Sequence, residues 1–266
     1  MKLGMLVMFA SLTLSTALAQ TPPPQAVAAG YTKLVFDDEF NSPDTVSPDG
    51  TGNYNWYRTN FFNPSLSLSA SDYSIQDGYL TIYTDNSGYG DDLQTAVPQN
   101  TTGAWTHGYF EASILFCQYC SAGGTSWPAF WSYSLNYATG QVPVGNPYAE
   151  LDFMEYYTQG SQSNYITTVH QWMNTNPSTQ VQNVNNLPAI PASTNFGTWH
   201  TYGCLWTPNQ VRWYFDNQLV TTVATGPGTP FTALEQNKMF LVLGTGTWWP
   251  IYVDYVHVWQ GNGPTP

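Results

Sequence analysis

Apolar and polar residues alternate along this chain over short stretches, not at helical spacing. Leu80-Thr-Ile-Tyr83 follows the turn Gln76-Asp77-Gly78, and Tyr109 to Phe116 alternates. Val211-Arg-Trp-Tyr-Phe215 runs into Asp216-Asn217, and Ile251 to Trp259 alternates through Asp254. Successive side chains of a strand point to opposite faces, so each stretch reads as a strand with one buried face. No segment carries a convincing 3.6-residue period. Many short strands punctuated by Gly, Pro and Asn, with no internal repeat or linker, predict a single all-β sandwich of jelly-roll type. Gly160 to Ser193 is so rich in Gln, Asn, Ser and Thr that only Ile166 to Trp172 reads as strand; the rest is expected to be loop. Thr21 to Ala29, rich in Pro and Ala, reads as a disordered lead-in.

The first nineteen residues have a different pattern. Lys2 supplies a positive start, Leu6 to Leu14 an apolar middle, and Ala17-Leu18-Ala19 a small-residue cleavage site before Gln20. This is the form of a signal peptide, so the expected protein is secreted and free of the membrane once cleaved. No later segment offers about twenty uninterrupted apolar residues. The expected organisation is a signal peptide over 1–19, a Pro/Ala-rich leader over 20–29, and one domain over 30–262, and the expected state is a monomer.

Charge narrows the partners. The four basic residues outside the leader, Lys33, Arg58, Arg212 and Lys238, face 17 acids. No basic patch could hold a phosphate backbone, which excludes nucleic acid and disfavours sulfated or uronate polymers. Neutral ligands remain, and 11 Trp with 19 Tyr supply both core and stacking surfaces. Three cysteines allow at most one internal disulfide. A bridge between Cys117 and Cys120 is expected, leaving Cys204 free, and the scattered histidines make no convincing zinc set.

Against this sparing use of charge, Ala149-Glu-Leu-Asp-Phe-Met-Glu-Tyr-Tyr157 places three carboxylates within six positions. In a regular strand Glu150 and Asp152 share a face, and Glu155, five residues from Glu150, points to the other. One β-bulge between Asp152 and Glu155 restores the parity. Three carboxylates on one face have a chemical use: retaining cleavage of a glycosidic bond needs two carboxyl groups about 5–5.5 Å apart, one attacking the anomeric carbon and one protonating the leaving oxygen. Crowding raises the proton affinity of at least one of them. The competing readings are a calcium site, which wants more oxygen ligands, and a solvated acidic strand, which Leu151, Phe153 and Met154 argue against.

Glu150-Leu-Asp-Phe-Met-Glu155 resembles the bulged signature of the family 16 glycoside hydrolases, of laminarinase and β-glucanase type. The resemblance runs on through Leu34-Val-Phe-Asp-Asp-Glu39-Phe-Asn41, Gly108-Tyr-Phe-Glu-Ala112, Trp127-Pro-Ala-Phe-Trp131, Trp199-His-Thr-Tyr202, Leu205-Trp-Thr-Pro208 and Tyr252-Val-Asp-Tyr-Val256. It implies a β-jelly-roll of the concanavalin A-like lectin and glucanase type, with a catalytic domain over 30–262. It also implies an endo-acting retaining enzyme on neutral β-1,3- or mixed β-1,3/1,4-glucan, with Glu150 as nucleophile, Asp152 assisting and Glu155 as acid/base. Trp127 and Trp131 match cleft-lining tryptophans, His170 a histidine near the acid/base, and Trp248 or Trp249 a tryptophan of the cleft rim. Tyr148, two residues before Glu150, is either a sugar platform or a core residue. Catalysis needs no cofactor; a structural calcium is implied at Glu39, the backbone of Gly78, and Asp254. A transglycosylase or other β-glycanase of the same family, and a carbohydrate-binding protein without turnover, are the alternatives. Two departures bear on subsites: Ser113 stands where the family commonly has Arg, and Gly145-Asn-Pro-Tyr-Ala149 replaces a Trp-Pro stretch.

Overall fold

The computed structural model describes residues 20–58, 68–83, 91–116, 127–156, 164–234, 237–245 and 250–261. In chain order the strands of the first half are β1 (Lys33–Asp38), β2 (Val46–Ser47), β3 (Trp56–Tyr57), β4 (Tyr73–Gln76), β5 (Tyr79–Ile82), β6 (Asp91–Gln94), β7 (Ala104–Trp105), β8 (Gly108–Phe116) and β9 (Pro128–Ser134). They continue as β10 (Pro147–Glu155), β11 (Ile166–Met173), β12 (Thr179–Asn186), β13 (His200–Thr207), β14 (Gln210–Phe215), β15 (Gln218–Ala224), β16 (Met239–Thr245) and β17 (Ile251–Gln260). Helix is confined to α1 (Pro24–Ala28), α2 (Leu135–Ala138) and a single 3-10 turn over Pro43–Thr45 among the described residues.

These strands form two sheets, as the alternating pattern demands. One runs β15-β14-β13-β8-β17-β5-β4 with β1 also on β17, and the other β12-β11-β10-β9-β16-β6-β3-β2 with β7 on β16. The fold is an all-β jelly-roll sandwich. Its turns follow the sequence: Asp77-Gly78 between β4 and β5 and Asp216-Asn217 between β14 and β15 both carry two positive φ angles, the requirement of a tight type I′ hairpin.

The inner faces meet in a core that includes Phe110, Phe130, Phe153, Trp206 and Trp213. Phe153 of β10 stacks on Phe110 of β8 at 5.4 Å and meets Phe130 of β9 edge-on at 4.8 Å, so the acidic strand is anchored from behind by aromatic packing. A second cluster, with Tyr133, Tyr148, Phe240 and Val242 packed beside Trp131 and Trp172, lies on the other face of the same sheet. Cys204 is buried and free; Cys117 and Cys120, residues 1–19 and Trp248–Trp249 lie outside the described residues.

Two local expectations are corrected. The lead-in is not disordered: α1 begins at Pro24, whose fixed φ suits a first helical turn, and buries Ala26 in a cluster with Tyr109, Leu205, Tyr214 and Trp259. The polar stretch after Gly160 is not mostly loop, because Thr179–Asn186 forms β12 on the sheet edge. An edge strand needs only part of one face buried, and Val184 packing on the core supplies that against a run of amides.

Candidate active site

Glu150, Asp152 and Glu155 all lie on β10. The strand pairs with β11 in regular register from Pro147↔Met173 to Asp152↔Thr168; the next pair is Glu155↔Ile166. Three steps on β10 therefore oppose two on β11. The register against β9 also shifts, between Asp152 and Met154. This is the bulge that parity requires, and the residues between the acids, Phe153 and Met154, are both in the core.

On the face opposite that core, each glutamate accepts one indole hydrogen bond. Trp172 Nε1 donates to Glu150 Oε2 at 3.0 Å, and Trp127 Nε1 donates to Glu155 Oε1 at 2.9 Å. His170, directly across the ladder from Glu150, places Nε2 3.0 Å from Asp152 Oδ2 and 3.8 Å from Glu150 Oε1. Its ring stacks on Trp172 at 5.5 Å. Expected residues Glu150, Asp152, Glu155, Trp127 and His170 are thus brought together. Trp172 carried no assigned role in the sequence, although its place two residues after His170 puts both on one face.

Electrostatics follow from this crowding. Burial is the main cause that holds Glu150 well above the ordinary glutamate range, reinforced by the charge of Asp152; His170 and the Trp172 hydrogen bond pull the other way. Burial likewise raises Asp152, and Glu155 adds to it by charge and by hydrogen bonding. Asp152 is 1% exposed. Raised proton affinity at two of the three neighbouring carboxyls disfavours three negative charges together, which suits a site that must hold both an acid and a base.

The remaining expected residues divide. Trp131 is opposite Asp152 across the β9–β10 ladder and packs edge-on against Tyr133 at 5.8 Å. Trp127 is 46% exposed, so its ring is available to a ligand. Tyr148 is corrected as a sugar platform: it is 2% exposed and its ring is covered by Tyr137 at 3.7 Å with an interplanar angle of 9°. The sequence shows its face but not α2, whose Tyr137 lies over it. Ser113 lies on β8 in the other sheet, alternating with the core residues Ala112 and Ile114, so this departure does not alter the carboxylate face.

For the implied calcium, register brings the segments that carry the expected donors alongside β17. β1 pairs with β17 as far as Asp38↔Val256, and β5 pairs with it as far as Val253↔Leu80. Glu39 and Gly78 therefore both approach β17 beside Asp254. A side chain built on Gly78 would stand 3.9 Å from Asn41 Oδ1, in the segment that carries Glu39. Carboxylate and carbonyl oxygens from three segments fit the chemistry of calcium. Glu39 Oε1 meanwhile accepts from His257 Nε2 at 2.8 Å and from Gln20 Nε2 at 2.7 Å. Asp37, Glu39 and His257 each place one donor atom within 4.8 Å of the others, so Glu39 already sits in a compact polar group. A concavity of about 300 Å³ lies elsewhere, beneath α1 against Leu205, Arg212 and Tyr214; it is distant from the acids in topology and none of its lining residues is acidic.

The chain is similar to known proteins in sequence and in fold. The family model for glycosyl hydrolases family 16 matches residues 62–250. An endo-1,3-1,4-β-glycanase of Rhizobium meliloti is 28% identical over 66% of this chain and 35% of its own length. A keratan-sulfate endo-1,4-β-galactosidase of Sphingobacterium multivorum is 29% identical over 92% of this chain and 60% of its own length. The chain thus spans about a third of the first relative and somewhat under two thirds of the second. Among solved structures, a laminarinase from Flavobacterium sp. UMI-01 superposes with a TM-score of 0.58 at 18% identity, covering 86% of this chain and all of that one, which is a likeness of fold.

Proposed function

The chain belongs to glycosyl hydrolases family 16, and from that premise we propose that it hydrolyses neutral β-1,3- or mixed β-1,3/1,4-glucan internally with retention of anomeric configuration. The observation that carries this reading is the bulge that leaves Glu150, Asp152 and Glu155 interacting on one face. Glu150, ionised, attacks the anomeric carbon while Glu155 gives its proton to the leaving oxygen. A glycosyl-enzyme ester forms as the glycosidic bond breaks. Glu155, now a carboxylate, takes a proton from water, whose oxygen displaces Glu150 and restores both groups. Asp152, whose proton affinity burial raises, removes a repulsive charge between the two glutamates when it is protonated. Trp172 and Trp127 each fix one carboxylate by an indole N–H. His170, 3.8 Å from Glu150, favours the ionised form of that glutamate when it carries a proton. Export through the 1–19 leader brings the enzyme to polymers outside the cell.

New reducing ends from laminarin, lichenan or barley glucan, lost in Glu150→Gln while binding to the same glucan persists, are the expected result. No products from any of the three would remove the glucan assignment. Binding without turnover by the unaltered protein would make it a lectin-like module. A second reading rests on the galactosidase of Sphingobacterium multivorum, which matches over 92% of this chain: an endo-β-galactanase using the same carboxylates. Cleavage of an unsulfated β-galactan in preference to β-glucan would favour it.

A further inference from the structure

We propose that Trp213, on the opposite sheet, is a positioning residue that locks the bulge and so keeps Glu155 on the face of Glu150 and Asp152. The proposal rests on the carboxylate roles given above. Trp213 is in β14, fully buried, and its Nε1 donates across the sandwich to the backbone carbonyl of Asp152 at 2.8 Å. Asp152 is the residue at which the register breaks toward both neighbouring strands. A bulge interrupts the ladder that otherwise pins a strand. If β10 slipped by one residue into regular register, Glu155 would turn toward the core, because an odd interval separates it from Glu150. An indole has a single N–H in a fixed direction, and here it grips the carbonyl at the start of the irregularity from behind. Two neighbouring strands in its own sheet, β9 and β11, and a third in the other, β14, thus hold the same peptide.

The same core contains its own control. Trp206 is also fully buried in the cluster that holds Trp213, and its Nε1 has no partner among the described residues. Trp206→Phe therefore removes a comparable volume without removing a hydrogen bond, whereas Trp213→Phe removes both.

The test is a carboxyl-carbon NMR titration of Asp152 and Glu155 in the two variants, with kcat and KM on β-glucan measured at a temperature where both are folded by circular dichroism. In Trp213→Phe the Asp152 titration is expected to fall toward the ordinary aspartate range as Glu155 moves away, and kcat to drop about 10- to 100-fold with KM changed less than about twofold. Trp206→Phe is expected to keep the unaltered titration and kcat. Should Trp213→Phe fold poorly, benzothienylalanine at position 213 keeps the ring shape and lacks the N–H, and the same shifts are expected. Titrations and kcat in the position-213 variants equal to those of Trp206→Phe would overturn the proposal. Inactivity of the unaltered protein on every β-glucan would instead remove the proposed activity, and the titrations would still decide the role of Trp213.

Discussion

Glu150 is destabilising where it is ionised, and that is the mark of a group kept for chemistry. Its proton affinity in the folded chain exceeds that of an unfolded glutamate, chiefly through burial. The folded state therefore binds the proton more tightly. Its contribution favours folding below the unfolded value of about 4.3 and is lost as pH rises through the folded value. Glu150→Gln is expected to raise Tm at pH 7 by about 2–4 °C, the size of a roughly 1 kcal/mol gain for a chain of this length, and to lose that advantage below pH 4. Thermal melts at the two pH values check it; equal melting at both would show that burial of Glu150 costs nothing. At this scale the acids were legible because three charges in an apolar run are conspicuous. Trp172 and Trp213 were not. An indole in a strand gives no sign of what its N–H will meet until a second strand is placed beside it, or a second sheet behind it.

At the scale of elements, close approach is set by residues that look featureless in sequence. Gly203 of β13 is opposite Glu111 and Tyr214, and a Cβ there would stand 2.0 Å from Tyr109 Oη and 2.7 Å from its Cζ. Gly203→Ala is expected to destabilise by about 1–3 kcal/mol. Adding Tyr109→Phe, which removes the nearer of those atoms, should recover part of the loss, a non-additivity read from denaturant unfolding of the double mutant. Simple additivity would place the strain elsewhere. The hairpins were legible because Asp-Gly and Asp-Asn dipeptides carry their own turn geometry. β12 and α1 were not, since each is stabilised by what it lies against: the edge of β11 in one case, and Tyr109, Leu205 and Trp259 in the other. Tyr148 was ambiguous for the same reason, its fate resting on the position of Tyr137.

Across the whole molecule, a formal charge of −12 with so few cations disfavours polyanionic ligands and makes a divalent cation a natural stabiliser. We propose that calcium joins Glu39, Gly78 and Asp254, tying the segment after β1 to the β4–β5 turn and to β17. At a hundredfold excess over Kd it should add about 2.7 kcal/mol of stability, seen as a rise in Tm that EDTA reverses and Asp254→Asn abolishes. A Tm indifferent to both calcium and EDTA would remove the site. The sandwich itself was legible from alternation alone, because a two-residue period repeated over many short segments has few other ways to bury its apolar face. The pairing order of the strands was not, since it depends on contacts between residues far apart in the chain.

The bulge matters to function only if it lets two carboxylates attack and protonate across one sugar linkage from the same protein face. The most direct measurement is proton NMR of the reducing end released in the first minutes of β-glucan cleavage, before mutarotation mixes the anomers. The β-anomer appearing first is the expected result. The α-anomer appearing first would mean inversion through a distant water, and would contradict the pairing of Glu150 with Glu155.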